Sequence, residues 1–364
     1  MKPVIFSPGI GDNRPTATLY YGQDTRDTLR TLPEASVHTV CTSPPYFGLR
    51  DYGTGDKQLG LEPTPEEFVA ALVEVFHEVK RVLRDDGTLW INLGDSYARQ
   101  GGKGGNQTRH WDGRANNLGA LHARRHVDDL GGDLKPKDLI GIPWRVAFAL
   151  QADGWYLRQD IIWSKPNPMP EGVTDRCTKA HEYVFLFAHP DSGGKYYYDA
   201  DAIREPHSEH ALAALARGSR LPDKVSVPTG GHFAKAWNPQ FKKGHSNYFD
   251  ADGNCTVNPL GINRRSVWSV PTAPYQGAHF ATWPPELVRP MVLAGCPVGG
   301  TVLDPFSGSA TTGMVALQEG RNYIGCDLNP DYLPLAERRV REEPSPVDTE
   351  AQDEGDALDL FSDG

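Results

Sequence analysis

Two adjacent prolines, Pro44 and Pro45, end the apolar-leaning run from Val37 to Cys41 and constrain the fold more than any other feature of the 364 residues. Neither proline can donate a ladder hydrogen bond, so a β-favouring run that meets them reads as a buried strand closing in a stiff turn. The stretch Thr42-Ser43-Pro44-Pro45-Tyr46, followed by Phe47-Gly48, presents the Ser43 hydroxyl, the Pro44 carbonyl whose direction the next proline fixes, and the aromatic face of Tyr46. Two acceptors and a stacking surface suit a planar group bearing an exocyclic NH2, such as a nucleobase. Taken alone, the same residues also describe a Pro-Pro turn with Ser and Tyr packed locally.

The chain is long enough to bury a full core, as one large domain or two ordinary ones. No apolar run reaches the ~18 residues of a membrane span, and the start of the sequence is too short and proline-broken for a signal peptide. A cytoplasmic location is therefore expected. The five cysteines are scattered, with no Cys-x-x-Cys pair and no Cys/His spacing of zinc type, so neither a metal nor a disulfide framework is expected. The formal charge of −10 argues against a polyanionic partner until it is located: residues 342–364 hold nine acidic residues and no basic one, which leaves the rest of the chain near neutral. Residues 342–364 read as a disordered acidic tail.

Two stretches carry the opposite charge. Residues 97–126 hold Arg99, Lys103, Arg109, Arg114, Arg124 and Arg125 against Asp112, with glycines diluting any periodicity. A basic loop leaving a strand suits phosphate contact, and a solvated insertion has the same composition. Between residues 203 and 265, Lys235, Lys242, Lys243, Arg264 and Arg265 are among nine basic residues set against five acidic ones, interleaved with Phe233, Trp237, Phe241, Tyr248 and Phe249. Basic groups hold a nucleic-acid backbone and aromatics stack or wedge between bases, which makes residues 191–275 the candidate target-recognition region.

Elsewhere strand and helix alternate. Thr64-Pro65-Glu66-Glu67 supplies a capping box with proline at the first helical position, and Phe68, Leu72, Val75, Val79 and Val82 place one apolar face on the helix that follows. Asp85-Asp86-Gly87 reads as its glycine stop, with Thr88 to Leu93 as the next strand. A second helix is expected over 138–152 and strands over 157–163 and 183–188. From Gly300 a strand, a small-residue turn Asp304-Pro305-Phe306-Ser307-Gly308-Ser309-Ala310-Thr311-Thr312-Gly313, a helix and a strand ending at Asp327 follow one another. The fold class expected is α/β, a doubly wound, mostly parallel sheet with ligands at the carboxyl ends of its strands.

The turn after Asp304 lacks the Gly-x-x-x-x-Gly-Lys phosphate cradle and the Gly-x-Gly-x-x-Gly dinucleotide fingerprint. A ligand with adenosine but no phosphate is better served: Asp304 for a charged or amino-bearing end, Gly308 for close approach, Asp327 for ribose hydroxyls. S-adenosylmethionine is such a ligand.

Taken together, the two constellations resemble the DNA amino-methyltransferases of the β arrangement, in which the catalytic motif precedes the target-recognition region and the cofactor motif comes last. Thr42-Ser43-Pro44-Pro45-Tyr46 is similar to the family's motif IV, and Asp304 to Ser309 to its motif I, with Ala310 where glycine is more usual. His279-Phe280-Ala281-Thr282-Trp283-Pro284 resembles motif X. The likeness covers roughly residues 18 to 340 apart from the variable region. It implies a circularly permuted methyltransferase fold with residues 18–190 as the catalytic half, 191–275 for target recognition and 276–341 as the cofactor half. It implies Ser43, Pro44, Pro45 and Tyr46 as the catalytic group. Cofactor contacts follow from Asp24 beside the adenine ring, from Thr42, and from Phe280, Thr282 and Pro284 around the methionine end. They are completed by Asp304, Phe306, Gly308, Ser309 and Thr311 in motif I, and by Asp327 at the ribose.

The activity implied is methyl transfer from S-adenosylmethionine to the N4 amine of a cytosine flipped out of double-stranded DNA. Serine at the first position of the tetrapeptide favours N4-cytosine; N6-adenine is the alternative, since the family more often has Asp or Asn there for adenine. A C5-cytosine enzyme would need a cysteine nucleophile after proline, and the chain has no Pro-Cys dipeptide. A non-catalytic DNA-binding protein that keeps the fold, and methylation of RNA or of glutamine, are the rival readings. The resemblance also admits a companion restriction endonuclease and a homodimer.

Overall fold

The computed structural model describes residues 3–6, 14–48, 57–98, 134–208, 260–272 and 282–341. The chain divides into two compact units, one of Met1–Tyr198 with Ser266–Gly364 and one of Asp199–Arg265.

Among the described residues the larger unit has nine strands: β1 (Val4–Phe6), β2 (Ala17–Tyr21), β3 (Val37–Thr42), β4 (Leu83–Leu93), β5 (Tyr156–Ser164), β6 (His181–Ala188), β7 (Val267–Ser269), β8 (Thr301–Asp304) and β9 (Asn322–Asp327). Their order across the sheet is β1-β2-β9-β8-β3-β4-β6-β5-β7. The five central strands β2, β9, β8, β3 and β4 run parallel, and β6 lies antiparallel to both β4 and β5. All five central strands therefore end at one rim, the place where a doubly wound sheet binds its ligands. β3 is buried apart from His38, and β4 is buried from Gly87 onward, as strands covered on both faces must be.

Helices α1 (Thr25–Thr31), α2 (Pro65–Val82), α3 (Ile142–Ala152), α4 (Pro285–Gly295), α5 (Thr311–Gln318) and α6 (Leu333–Arg341) pack on this sheet. In α2 the Thr64 hydroxyl accepts from Glu67 N at 3.2 Å and Pro65 opens the helix, as the capping pattern requires. Its buried face, Phe68, Leu72, Val75, Phe76, Val79 and Val82, joins Val40, Leu89, Ile91 and Leu303 of the strands in one apolar core.

The helix does not stop at Gly87. It ends at Val82, where Leu83 N donates to Val79 O, and β4 begins at once. Leu83 pairs with Val37 and Thr88 with Thr39, so the irregularity in register absorbs the charged segment that reads in sequence as a turn. The second helix is shorter than its pattern, starting at Ile142 after Gly141, whose φ of 80° no helix interior adopts. β1, β7 and α4 are elements the sequence pattern did not declare.

Candidate active site

The strand that ends in the double proline and the strand that ends at Asp304 lie side by side, with Thr39 opposite Val302 and Val40 opposite Leu303. At their carboxyl ends Thr42 Oγ1 donates to Asp304 Oδ1 at 2.6 Å. Thr312 Oγ1 donates to Oδ2 at 2.7 Å and Phe306 N to Oδ1 at 3.1 Å, so both carboxylate oxygens are committed. Burial pushes the Asp304 carboxyl up to about 6 against those three donors. Asp304 thus ties the turn after β8 to the turn after β3, and it stands outside the group of residues that line the neighbouring cleft.

That cleft, open to solvent, is walled by Asp24, Thr25 and Arg26 at the start of α1, by Pro45, by Leu59, by Pro305 and Phe306, and by Asp327, Asn329 and Tyr332. It sits at the rim of β8 and β9, and it combines apolar walls with two carboxylates. Asp24 caps α1 by accepting from Arg26 N at 2.9 Å and pairs with the Arg26 guanidinium at 2.7 Å. Burial would raise its carboxyl, but the hydrogen bonds and charge of Arg26 prevail and hold it below the usual range. Asp327 accepts from Gly308 N and from Asn329 N, each at 2.8 Å, and burial pushes it up to about 6.

Gly308, whose N donates to Asp327, has φ 51°, and a Cβ built there would meet no atom within 4 Å, so the turn leaves open space beside it. Ala310 takes the same left-handed conformation, φ 60° and ψ 40°, immediately before α5. This explains why glycine is the more usual residue at that position.

The remaining expected cofactor contacts are not among the residues that line this cleft. Ser309 is buried beside Arg339, Thr311 opens α5 and is buried, and Pro284 opens α4 with Thr282 just before it. Phe280 lies outside the described residues.

On the other side of the double proline, Ser43 Oγ donates to Asn92 Oδ1 at 3.2 Å. The Tyr46 hydroxyl donates to Glu182 Oε2 at 2.6 Å and lies 3.2 Å from the same Asn92 oxygen. Asn92 Nδ2 donates to Tyr183 O at 3.1 Å and to Glu182 Oε2 at 3.3 Å. The amide orientation follows from Tyr183 O, which can only accept, so Asn92 must turn its oxygen toward Ser43. Ser43 then spends its one hydrogen on Asn92 and leaves its lone pairs for an incoming NH2. The other Glu182 oxygen pairs with Lys165, whose ammonium stands 4.2 Å from the Trp163 ring centroid. Asn92, Lys165 and Glu182 are site residues that sequence reasoning did not find; the strand ends at Leu93, Ser164 and His181 carry the signal only once the sheet order is known.

Of the expected DNA contacts, Arg264 and Arg265 fall in the Asp199–Arg265 unit, where the largely exposed Arg265 pairs with Glu205 at 2.7 Å. Arg109, Arg114, Arg124, Arg125, Lys235, Lys242 and Lys243 lie outside the described residues. Among the described residues, Asp85, His189 and Asp191 could cluster about a metal, yet His189 Nδ1 already accepts from Asp191 N at 3.1 Å and Nε2 lies 3.0 Å from Lys80 O. No helix of the described residues is long and apolar enough to cross a membrane.

The family profile for DNA methylases of the N6 and N4 type matches residues 37–338. The type II methyltransferase M.Cfr9I of Citrobacter freundii is 44% identical over 331 residues, which cover 91% of this chain and 90% of that protein. The chain belongs to the N6/N4 DNA methylase family.

A further relative of this DNA methylase is the type II methyltransferase M.SmaI of Serratia marcescens, 43% identical over 87% of this chain and 88% of that protein. The PvuII DNA methyltransferase, described as cytosine-N4-specific, shares the fold with a TM-score of 0.53 at 17% identity, over 91% of this chain and 89% of the other. The methylase uses S-adenosylmethionine, which supplies an electrophilic sulfonium methyl when bound. The lining fits it: Asp327 suits a ribose, Asp24 and Phe306 an adenine edge and face, and the cleft reaches Pro45 of the double-proline turn. The turn beside it holds a hydroxyl with free lone pairs, an aromatic ring and two prolines, parts that suit the placing of a planar amine. These are means of positioning and of electrostatic stabilisation rather than of covalent catalysis.

Proposed function

We propose that this methylase transfers the methyl group to the exocyclic N4 of a cytosine extruded from double-stranded DNA. The observation that carries the reading is the polarity of Ser43: its hydrogen is given to Asn92, so its oxygen faces the target site as an acceptor. The lone pair of an exocyclic amine is delocalised into the base ring. Hydrogen bonds from the NH2 to Ser43 Oγ and the Pro44 carbonyl favour the more tetrahedral form, in which the lone pair is available, while Tyr46 stacks on the ring. Serine at this position, where adenine enzymes of the family more often have Asp or Asn, supports cytosine.

Residues 18–190 and 276–341 then form the methyltransferase body, with 191–275 reading the DNA site through the basic residues named above, Arg264 and Arg265 included. The type II relatives support a role in restriction and modification beside a companion endonuclease, in the cytoplasm where the DNA lies. Mass spectrometry of nucleosides from DNA treated with the protein and S-adenosylmethionine tests the reading. N4-methylcytosine without N6-methyladenine is expected; N6-methyladenine alone overturns it.

A further inference from the structure

Glu182 is a mostly buried carboxylate on the strand next but one to the catalytic turn, and it touches two of the residues that face the target base. We propose that Glu182, held by Lys165, is a positioning residue for methyl transfer that acts on the base through Tyr46 and Asn92. The inference rests on the reading of Ser43 to Tyr46 as the target-base site.

The Glu182 and Lys165 side chains are only 14% and 17% exposed. Burying such a pair contributes little to stability by itself, because desolvation offsets most of the attraction. What distinguishes this pair is where the hydrogen bonds go. One carboxylate oxygen faces Lys165; the other receives the Tyr46 hydroxyl at 2.6 Å and the Asn92 amide at 3.3 Å. Lys165 and Glu182 also stand at the two roots of the proline-rich strap between β5 and β6, next to the cross-strand pair Ser164 and His181, so the ion pair closes the strap against the site.

Tyr46 is fixed at both ends by this arrangement. Gly94 lies against the ring, where a Cβ would come within 2.4 Å of Tyr46 Cε2, and Glu182 holds the hydroxyl. Without Glu182 the Tyr46 hydroxyl keeps Asn92 Oδ1 as its acceptor, the same oxygen that receives Ser43. That oxygen has two lone pairs and takes both hydroxyls, so Ser43 keeps its acceptor while the tyrosine is left with its weaker, longer bond alone. The tyrosine ring loses its tether at the same time, and small misplacements of reacting groups cost orders of magnitude in rate.

A double-mutant cycle on Glu182 and Tyr46, read as kcat on duplex DNA with S-adenosylmethionine binding measured separately, tests the proposal. Glu182→Ala is expected to lower kcat about tenfold or more while leaving the cofactor Kd within about twofold, because the cofactor cleft contains neither residue. Tyr46→Phe/Glu182→Ala should be no slower than the slower single variant by more than about threefold, since both changes cut one link. A Glu182→Ala enzyme with kcat within about twofold of wild type overturns the proposal, and so do penalties that multiply in the double variant. Should Glu182→Ala fold poorly, Glu182→Leu, which fills the space but removes both acceptors, is run through the same cycle with the same expected and overturning results. Ser43→Ala in the same assay tests the target-base reading on its own: kcat unchanged from wild type there overturns that reading whatever the Glu182 variants do.

Discussion

Thr42 and Asp304 are separated by 262 positions and joined by a hydrogen bond of 2.6 Å. The bond links the residue just before Ser43-Pro44-Pro45-Tyr46 to the acid that opens the small-residue turn after β8, and it exists because β3 and β8 are neighbours in the sheet. The two ligand sites are therefore not independent: each turn is braced by the other.

Removing the brace should disturb both sites. Thr42→Val keeps the shape of the side chain and deletes the donor, leaving Asp304 with Thr312 and Phe306 N alone. A hydrogen bond to a charged group is worth about 1.5–3 kcal/mol. Thr42→Val should lose a stability of that order in denaturant titrations and weaken S-adenosylmethionine binding in calorimetry, whereas Thr42→Ser should change neither appreciably. A valine variant that binds the cofactor as wild type does would show the brace to be dispensable.

The buried acid also sets a pH dependence with a definite sign. Burial raises the Asp304 carboxyl to about 6 in the fold, above its ordinary value of 3.8, so the folded state holds its proton more tightly than the unfolded chain. The group's contribution to stability is thus fully present at low pH and is lost as pH rises from near 4 through 6. Asp304→Asn removes the ionisation while its amide oxygen still accepts from Thr42 and Phe306 N, and its NH2 can donate to Thr312 once that hydroxyl turns to Cys41 O, 3.5 Å away. Relative to wild type, Asp304→Asn should gain about 3 kcal/mol near neutral pH, an advantage that vanishes at low pH where both side chains are neutral. Urea unfolding at the two pH values checks this; a difference that is flat with pH, or that grows on acidification, would refute it.

Much of this was readable from the chain before any coordinates. A proline pair ending a β-branched run, a Thr-Pro-Glu-Glu start before a periodic apolar face, and a small-residue turn between two acids are local patterns, and each produced the local structure it implied. What stayed hidden depends on pairing. Asn92, Lys165 and Glu182 are single polar residues near strand ends, and only the antiparallel placement of β6 between β4 and β5 brings them together. The three-residue strands β1 and β7 are too short to show a period of two. The segment Arg84 to Gly87 misleads for a further reason: its charges and glycine satisfy the chemistry of a turn, while the backbone uses them to take up a shift in register.

Ala310 offers a test of backbone strain. The left-handed conformation costs a residue with a Cβ about 1–2 kcal/mol, but this Cβ is fully buried and a buried methyl returns about 0.8 kcal/mol. The two nearly cancel, so Ala310→Gly should unfold within about 1 kcal/mol of wild type. Ala310→Val, with a branched Cβ at φ 60°, should cost about 2 kcal/mol or more and destabilise the start of α5. Equal stability of the valine and glycine variants in thermal melts would contradict this account.

Gly94 separates folding from positioning in one substitution. It follows β4 directly, and a methyl group there would come within 2.4 Å of Tyr46 Cε2 and 3.0 Å of Cζ, a clash with a side chain rather than with backbone. The ring can swing away without unfolding the sheet, but in doing so it must leave Glu182 and the plane on which a base would stack. Gly94→Ala should therefore melt within a few degrees of wild type and bind S-adenosylmethionine unchanged, since the cofactor cleft lies on the far side of the double proline. Its kcat for methylation should fall by about tenfold to a hundredfold, the scale set by misplacing a reacting group. Single-turnover methylation beside calorimetric cofactor binding measures the two quantities separately. An alanine variant that methylates at the wild-type rate would mean that the tyrosine ring has no fixed place to keep.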